Sequence, residues 1–373
     1  MIIEKIKKDL YQKGISNRKL ATELNISHTS VNDMLGGRRD FEFSIFSGIL
    51  MYLYPDKQHW RHEQIDKFCI ENDRKDNFPL VLEYANLKGE LVLMKRLIEK
   101  GEMSNVELIQ ELAQVYKLLY IRNAELVSKE EYHQKVRELM GTLRSTSIEV
   151  EILLEFALIY AYLDLGDFKL VHEYTQRLNN LIPTVKNEYC RYAYEIRKNE
   201  MLASCLHKDN KVEYSREICL KIVNDKRNDF PLTKAIAYGI IGETYILTDF
   251  EKSDYYLRQS LLYVENPYNK KMEYRYQKIK NTLDFLYIHW KKNLDNINPL
   301  NPEEQAYLYI QRGEIDRAIE KLMEIREKST NTSSFWMYYW GLATGDKEML
   351  KQSALEFVRT QNAYYAKLPL DEL

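Results

Sequence analysis

Residues 16–41, SNRKLATELNISHTSVNDMLGGRRDF, carry a spacing that predicts a helix-turn-helix. Ser16 is a good N-cap, and Leu20, Ala21 and Leu24 fall on one face of the short helix it would start. Ala21 is small where a second helix must cross closely. Asn25 follows, and asparagine tolerates the left-handed conformation that a sharp helix exit demands. Ile26 can plug the corner. Ser27 is a second N-cap, and Val31, Met34 and Leu35 supply the buried face of the next helix.

That register leaves His28, Thr29, Ser30, Asn32 and Asp33 on the outer face, all short and polar. Arg38 and Arg39 lie past the Gly36-Gly37 stop, and Arg18 and Lys19 sit at the start of the first helix. A helix entering the major groove needs this arrangement. Its early residues reach base edges, while basic residues around it hold phosphates. The plainer alternative is a helical hairpin with a polar surface. The residues expected to meet double-stranded DNA are Arg18, Lys19, Ser27, His28, Thr29, Ser30, Asn32, Arg38 and Arg39.

The 373 residues exceed one compact core and suggest several domains or an extended repeat array. Only 8 Pro and 13 Gly interrupt a chain rich in Leu, Lys, Glu and Tyr, which points to an all-α protein. Net charge is −2, so this is not a globally basic nucleic-acid coat. Residues 1–57 hold nine basic against seven acidic side chains (net +2), and the remainder 45 against 49 (net −4). The positive excess sits with the proposed reading head but is small, so affinity would rest on a few placed contacts and on two copies acting together.

Cys69, Cys190, Cys205 and Cys219 are scattered without metal spacing, which suggests packed, reduced thiols and a cytoplasmic protein. The charged N-terminal MIIEKIKKDL is not a signal peptide, and residues 43–54, the longest apolar run, are too short to span a bilayer. No Gly-rich phosphate loop, nucleophile elbow or Cys-His pairing is present, so no catalytic residue, cofactor or metal is expected. His59, His62 and Glu63 have the order HxxHE instead of HExxH, and predict surface or capping histidines.

Taken in order, residues 2–13 predict a first helix packing through Ile2, Ile3, Ile6 and Leu10. A fourth, ended by Pro55, closes a head of residues 1–57 that is expected to lean on Trp60, Ile65 and Phe68 of a connecting segment, 58–78. From 79 to 373 the chain repeats. Breaks recur at Gly89, Ser128, Gly166, Lys208 and Thr248, spaced 39, 38, 42 and 40 residues apart, with later ones at Gly313 and Gly345. Amphipathic helices flank each, as in LLEFALIYAYLDLGDFKLVHEYTQRLNNL (153–181). Hairpins of this size cannot bury their apolar faces singly, so they predict a TPR-like α-solenoid superhelix following the helix-turn-helix domain. Residues 266–302 fit the repeat poorly, and KNLDNINPLNP suggests a longer loop closed by Asn301 and Pro302.

The concave face of such a solenoid binds extended peptides or partner helices. Inner-helix candidates for a short signalling peptide or a regulator protein are Arg191, Tyr194, Arg197, Asn199, Glu243, Tyr245 and Tyr274, with Lys198, Arg275 and Gln277 nearby. The alternative for each is an ordinary solvated or interhelical side chain.

A helix-turn-helix ahead of a degenerate tetratricopeptide array resembles the peptide-responsive bacterial regulators grouped as RRNPP, and within them the AimR-like arbitrium receptors. The resemblance is carried by FEFSIFSGILMYLYPDKQHWRHEQIDKFCIEN (41–72), LVLEYANLKGELVLMKRLI (80–98), YCRYAYEIR (189–197), YGIIGETYILTDFEKSDYYLRQSL (238–261) and AKLPLDEL (366–373). It implies a phage or prophage transcription factor that decides between lysis and lysogeny under control of a short secreted peptide. Two departures matter. Where receptors of this family use Asn and Arg in the peptide pocket, this sequence offers Cys205, Asp209, Leu232 and Glu243, so an arbitrium-type peptide is expected to bind differently or not at all. Relatives also continue past LPL into a Leu-rich tail that helps a homodimer form, whereas this sequence ends at Leu373. The competing expectation is an interaction regulator that has lost both DNA and peptide.

Overall fold

The computed structural model describes residues 2–72, 74–144, 146–328 and 332–373. Among them lie twenty-one α-helices, three short 3-10 turns and no strand. In order these are α1 (Ile2–Gln12), α2 (Asn17–Glu23), α3 (His28–Leu35), α4 (Phe43–Leu53), α5 (Gln58–Glu71), α6 (Phe78–Lys88) and α7 (Leu91–Glu102). There follow α8 (Glu107–Asn123), α9 (Lys129–Thr142), α10 (Ile148–Leu165), α11 (Phe168–Leu181), α12 (Glu188–Lys208), α13 (Val212–Asn224) and α14 (Pro231–Tyr245). The last are α15 (Phe250–Leu262), α16 (Lys270–His289), α17 (Pro302–Gln311), α18 (Ile315–Lys328), α19 (Ser334–Thr344), α20 (Lys347–Arg359) and α21 (Lys367–Leu370). Two compact units divide the chain. One comprises Met1–Asn86, Glu90–Ala157 and Pro183–Ala193; the other Leu87–Gly89, Leu158–Ile182 and Tyr194–Leu373.

In the first unit Ile6, Leu10, Leu20, Val31, Met34, Leu35, Phe43, Phe46, Ile49, Leu50 and Leu53 are buried. Aromatic contacts extend that core. Phe46 stacks on Phe68 with ring centroids 4.4 Å apart, and Phe43 packs against the rings of Tyr84 and Tyr189. Large apolar areas leave water here together, which is the main favourable term available to so small a head. Arg61, almost fully buried, caps the end of α4 by donating to the carbonyls of Tyr54 and Pro55. His59 stays at the surface beside Glu63, as expected. His62 does not. It is buried, with Nδ1 2.5 Å from the Tyr84 hydroxyl, because that phenol supplies the hydrogen bond an interior imidazole needs.

Helices of the second unit pack on their neighbours in sequence and on the next helix but one, as α14 does with α15 and α16, and α17 with α18 and α19. That is the contact pattern of stacked hairpins. The breaks behave as turns: Gly89, Gly166, Gly313 and Gly345 all take positive φ, as does Asn210 in the Lys208 break. Residues 266–302, a poor match to the repeat, instead contain α16, a regular helix of 20 residues. Its Met272, Ile279, Leu283 and Leu286 are buried at helical spacing; Tyr and Lys between them had blurred the pattern. Asn301 caps α17 and Pro302 opens it, as expected.

Close approach of α14 and α15 depends on small residues. Ser253 and Ser260 of α15, both fully buried, donate to the Gly242 and Ala235 carbonyls of α14. Along one side, Tyr263, Tyr238, Tyr256 and Tyr245 stack on one another at 5.7–6.3 Å. The C-terminal segment folds back on the same unit. The Tyr364 amide donates to the Lys208 carbonyl and its hydroxyl to the Thr244 carbonyl, and Tyr364 and Tyr365 together flank the His207 ring.

A Cβ added at Gly242 would lie 2.7 Å from Leu257 Cγ and 3.0 Å from the Leu257 backbone nitrogen. Gly242→Ala should therefore lower the urea midpoint, by about 1–3 kcal/mol of stability, in spite of its better helix propensity; an unchanged or raised midpoint would contradict the packing. Burial lifts the Glu304 carboxyl to about 8, against the pull of the Tyr339 hydroxyl. Between the ordinary value of 4.5 and 8 the folded chain keeps a proton that the unfolded chain releases, so this group's contribution to stability falls as pH rises through that window. Glu304→Gln should thus raise the melting temperature more at pH 8 than at pH 5, and an equal shift at both would refute the assignment.

Candidate nucleic-acid interface and partner-facing residues

The head builds its surface from two capped helices. Ser16 Oγ accepts from the Lys19 amide and Ser27 Oγ from the Ser30 amide, each satisfying an amide that the first turn leaves open. Asn25 sits between them in the left-handed region at φ 52°, and the amide of Ile26 bonds back to the Ala21 carbonyl. With the corner set, Leu20, Ala21, Val31, Met34 and Leu35 are buried, and Arg18, Lys19, Ser27, His28, Thr29, Arg38 and Arg39 are exposed. Ser30 and Asn32 are half-buried.

Several of these side chains already have partners. Asn32 accepts from Asn17 at 2.7 Å through its carbonyl, and its amide lies 3.3 Å from the His28 ring nitrogens. Ser30 Oγ is 2.8 Å from Ser27 Oγ. Arg38 Nε is 3.0 Å from Asp33, and Arg39 is 2.5 Å from Glu42. Both arginines beyond α3 are thus held by carboxylates of the head itself. Sequence reading missed Asn17 and Glu42. The Arg39/Glu42 spacing of three was a usable signal; nothing in the sequence linked Asn17 to Asn32.

The partner candidates fall into different environments. Arg191, in the first unit, is half-buried and donates to the Val185 carbonyl. In the second unit Tyr194 and Arg197 are buried, Arg197 Nε lying 3.4 Å from the Tyr160 hydroxyl. Lys198 is buried as well and bonds Asn179 and Glu195. Asn199 and Arg275 are half-buried, and Tyr274 and Gln277 exposed. Tyr245 lies under Arg216, 4.1 Å from its guanidinium.

What the structure gathers on α12 and α16 is a set of charges. Burial lifts the Glu200 carboxyl to about 7, against the pull of Arg275, Lys271 and Arg197. Further along α12, His207 is buried with Nδ1 3.6 Å from Glu243, and burial depresses its pKa. Arg197, Glu200 and His207 recur at helical spacing on α12, a signal that would have found the two that sequence reading left out. Of the four positions where the pocket was expected to differ, Cys205 and Leu232 are buried, Glu243 half-buried and Asp209 exposed. No described helix is long and apolar enough to cross a membrane.

Capped helix-turn-helix and stacked helical hairpins together define a class, the helix-turn-helix proteins with a tetratricopeptide-type array. Within it, the chain belongs to the AimR transcriptional regulator-like family, whose sequence model matches residues 61–373. It is 25% identical over 335 residues to the AimR transcriptional regulator of Bacillus phage phi3T, covering 87% of this chain and 84% of that protein. It is also 28% identical over 223 residues to an uncharacterized protein, pXO2-35, of Bacillus anthracis, covering 59% of this chain and 83% of the other. Among solved structures, ligand-bound phAimR superposes with a TM-score of 0.73 at 24% identity, covering 87% of this chain and 94% of that one. Selenomethionine phAimR gives 0.74 at 20% identity, covering 100% and 96%. At those identities the likeness establishes the fold.

Ser27→Ala removes the cap of α3 without touching its buried face. It should cost about 1 kcal/mol of stability and speed amide exchange at Ser30, whose N–H bonds Ser27 Oγ. Unchanged exchange there would show that the cap does not hold the helix start.

Proposed function

We propose that the chain is a phage- or prophage-type DNA-binding transcriptional regulator. Residues 1–57 act as the reading head, 58–78 as the connection and 79–373 as the domain that receives a short signalling peptide or a protein partner. The observation that carries this reading is the exposed start of α3, with His28 and Thr29 outward, beside Arg18, Lys19, Arg38 and Arg39. Membership of a family of transcriptional regulators supports it. Bases would be read by His28, Thr29, Ser30 and Asn32, with Asn32 exchanging its bond from Asn17 for a base edge. Phosphates would fall to the four basic residues.

The ligand would bind in the second unit, among Arg197, Asn199, Glu243, Tyr245 and Tyr274. The relative from phage phi3T is a transcriptional regulator, and the resemblance to the AimR-like arbitrium receptors is the ground on which we read the output as a lysis–lysogeny-like decision. Two copies bound to paired half-sites would let a ligand that favours one spacing of heads shift the population.

A second reading is favoured by specific observations. Arg38 and Arg39 are paired with carboxylates, and Tyr194 and Arg197 are buried. Under it the chain is an interaction regulator that no longer binds DNA or an arbitrium peptide. Gel shifts on promoter DNA from its own locus, across salt concentrations, separate the two. The DNA-binding reading expects a salt-sensitive complex, with Arg39→Ala lowering the log–log salt slope by about one. No complex at low salt, with one protein recovered in a pull-down, would establish the interaction reading instead.

A further inference from the structure

The loop that leaves the recognition helix is held from outside the head. Asn77, 3% exposed, accepts from the Phe43 amide at 2.9 Å and donates to the Phe41 carbonyl at 3.1 Å and to Asn72 Oδ1 at 2.9 Å. Arg74 donates to the Asp40 carbonyl at 3.3 Å and lies 3.5 Å from Glu42 Oε1, the oxygen that also holds Arg39. The same short segment is anchored behind: Lys100 of α7 donates to the Asn72 carbonyl at 2.8 Å. Asn77 and Arg74 therefore clasp the backbone at 40, 41 and 43, directly after the two arginines, and Arg74 shares one carboxylate with the second of them.

We infer that Asn77 and Arg74 are positioning residues for DNA recognition. They fix the exit loop so that Arg38 and Arg39 are presented in one geometry, and they make the connection beyond residue 72 the element that sets that geometry. An amide whose two ends grip three backbone and side-chain partners is not replaceable by an apolar side chain, since the Phe43 amide and Phe41 carbonyl would be left buried and unsatisfied. Glu42 adds a competing hold, because Arg39 must exchange that carboxylate for a phosphate. The inference rests on the DNA-binding reading above, and its test separates the two.

The full chain is compared with Asn77→Ala, Arg74→Ala, Glu42→Gln and Arg39→Ala by fluorescence anisotropy on promoter duplex from its own locus across salt, and by hydrogen exchange of the Phe43 amide. Asn77→Ala should bind about five- to tenfold more weakly with an unchanged salt slope, and should expose the Phe43 amide to exchange. Arg39→Ala, by contrast, should lower the slope by about one. Glu42→Gln should bind about threefold more tightly, since no carboxylate then holds Arg39. If Asn77→Ala does not fold, Arg74→Ala decides, being at the surface edge; it should weaken binding about two- to fivefold with the slope unchanged. Wild-type affinity in the folded variants, or a slope lowered as by Arg39→Ala, would overturn the positioning role. Should the wild-type chain bind no DNA at low salt, the functional reading falls, and Phe43 exchange alone then judges the clasp: persistent protection in Asn77→Ala refutes it.

Discussion

A helix with a single apolar stripe has nowhere to hide it except against another helix, and the packing of both units follows from that constraint. It is met differently in the two units. In the first, aromatic rings of α4, α5 and α6 close on one another around Phe43 and Phe46. In the second, consecutive hairpins stack, and where α14 meets α15, glycine and serine replace larger residues so that backbone carbonyls can be met by buried hydroxyls. The burial that results is what makes charged groups in the interior costly and therefore informative.

The electrostatics of the head differ from those of a basic nucleic-acid coat. Its excess charge is small, and both arginines after α3 are engaged by Asp33 and Glu42. Such exposed pairs are weak and screened by salt, so they are easily exchanged for phosphates. If the head binds DNA as proposed, these pairs would reduce non-specific attraction and leave more of the discrimination to base contacts and to loop geometry.

The second unit carries its own unusual chemistry. Glu200, held near neutrality by burial, feels the charges of Arg197, Lys271 and Arg275, while buried His207 faces Glu243 and is covered by Tyr364 and Tyr365 from the end of the chain. Groups poised in this way respond to any neighbour that changes their solvation or brings a charge.

Much of this was written locally. Ser16 and Ser27 as caps, Asn25 as the left-handed corner, the glycines at the repeat breaks, and Asn301-Pro302 at the start of α17 are all choices that a residue makes with its immediate neighbours, through its own φ preference or a side chain reaching two or three residues ahead. Such signals survive in a linear reading. Residues 266–302 escaped because Tyr and Lys on α16 broke the apolar period without breaking the helix. His62 buried on Tyr84, Asn77 gripping residues 41 and 43, Asn32 bonded to Asn17 and Tyr364 returning to Thr244 were decided by the tertiary structure alone. The partners in those contacts lie between 15 and 120 residues apart, and a polar side chain gives no sign of whether water or a distant carbonyl will satisfy it until the helices have packed.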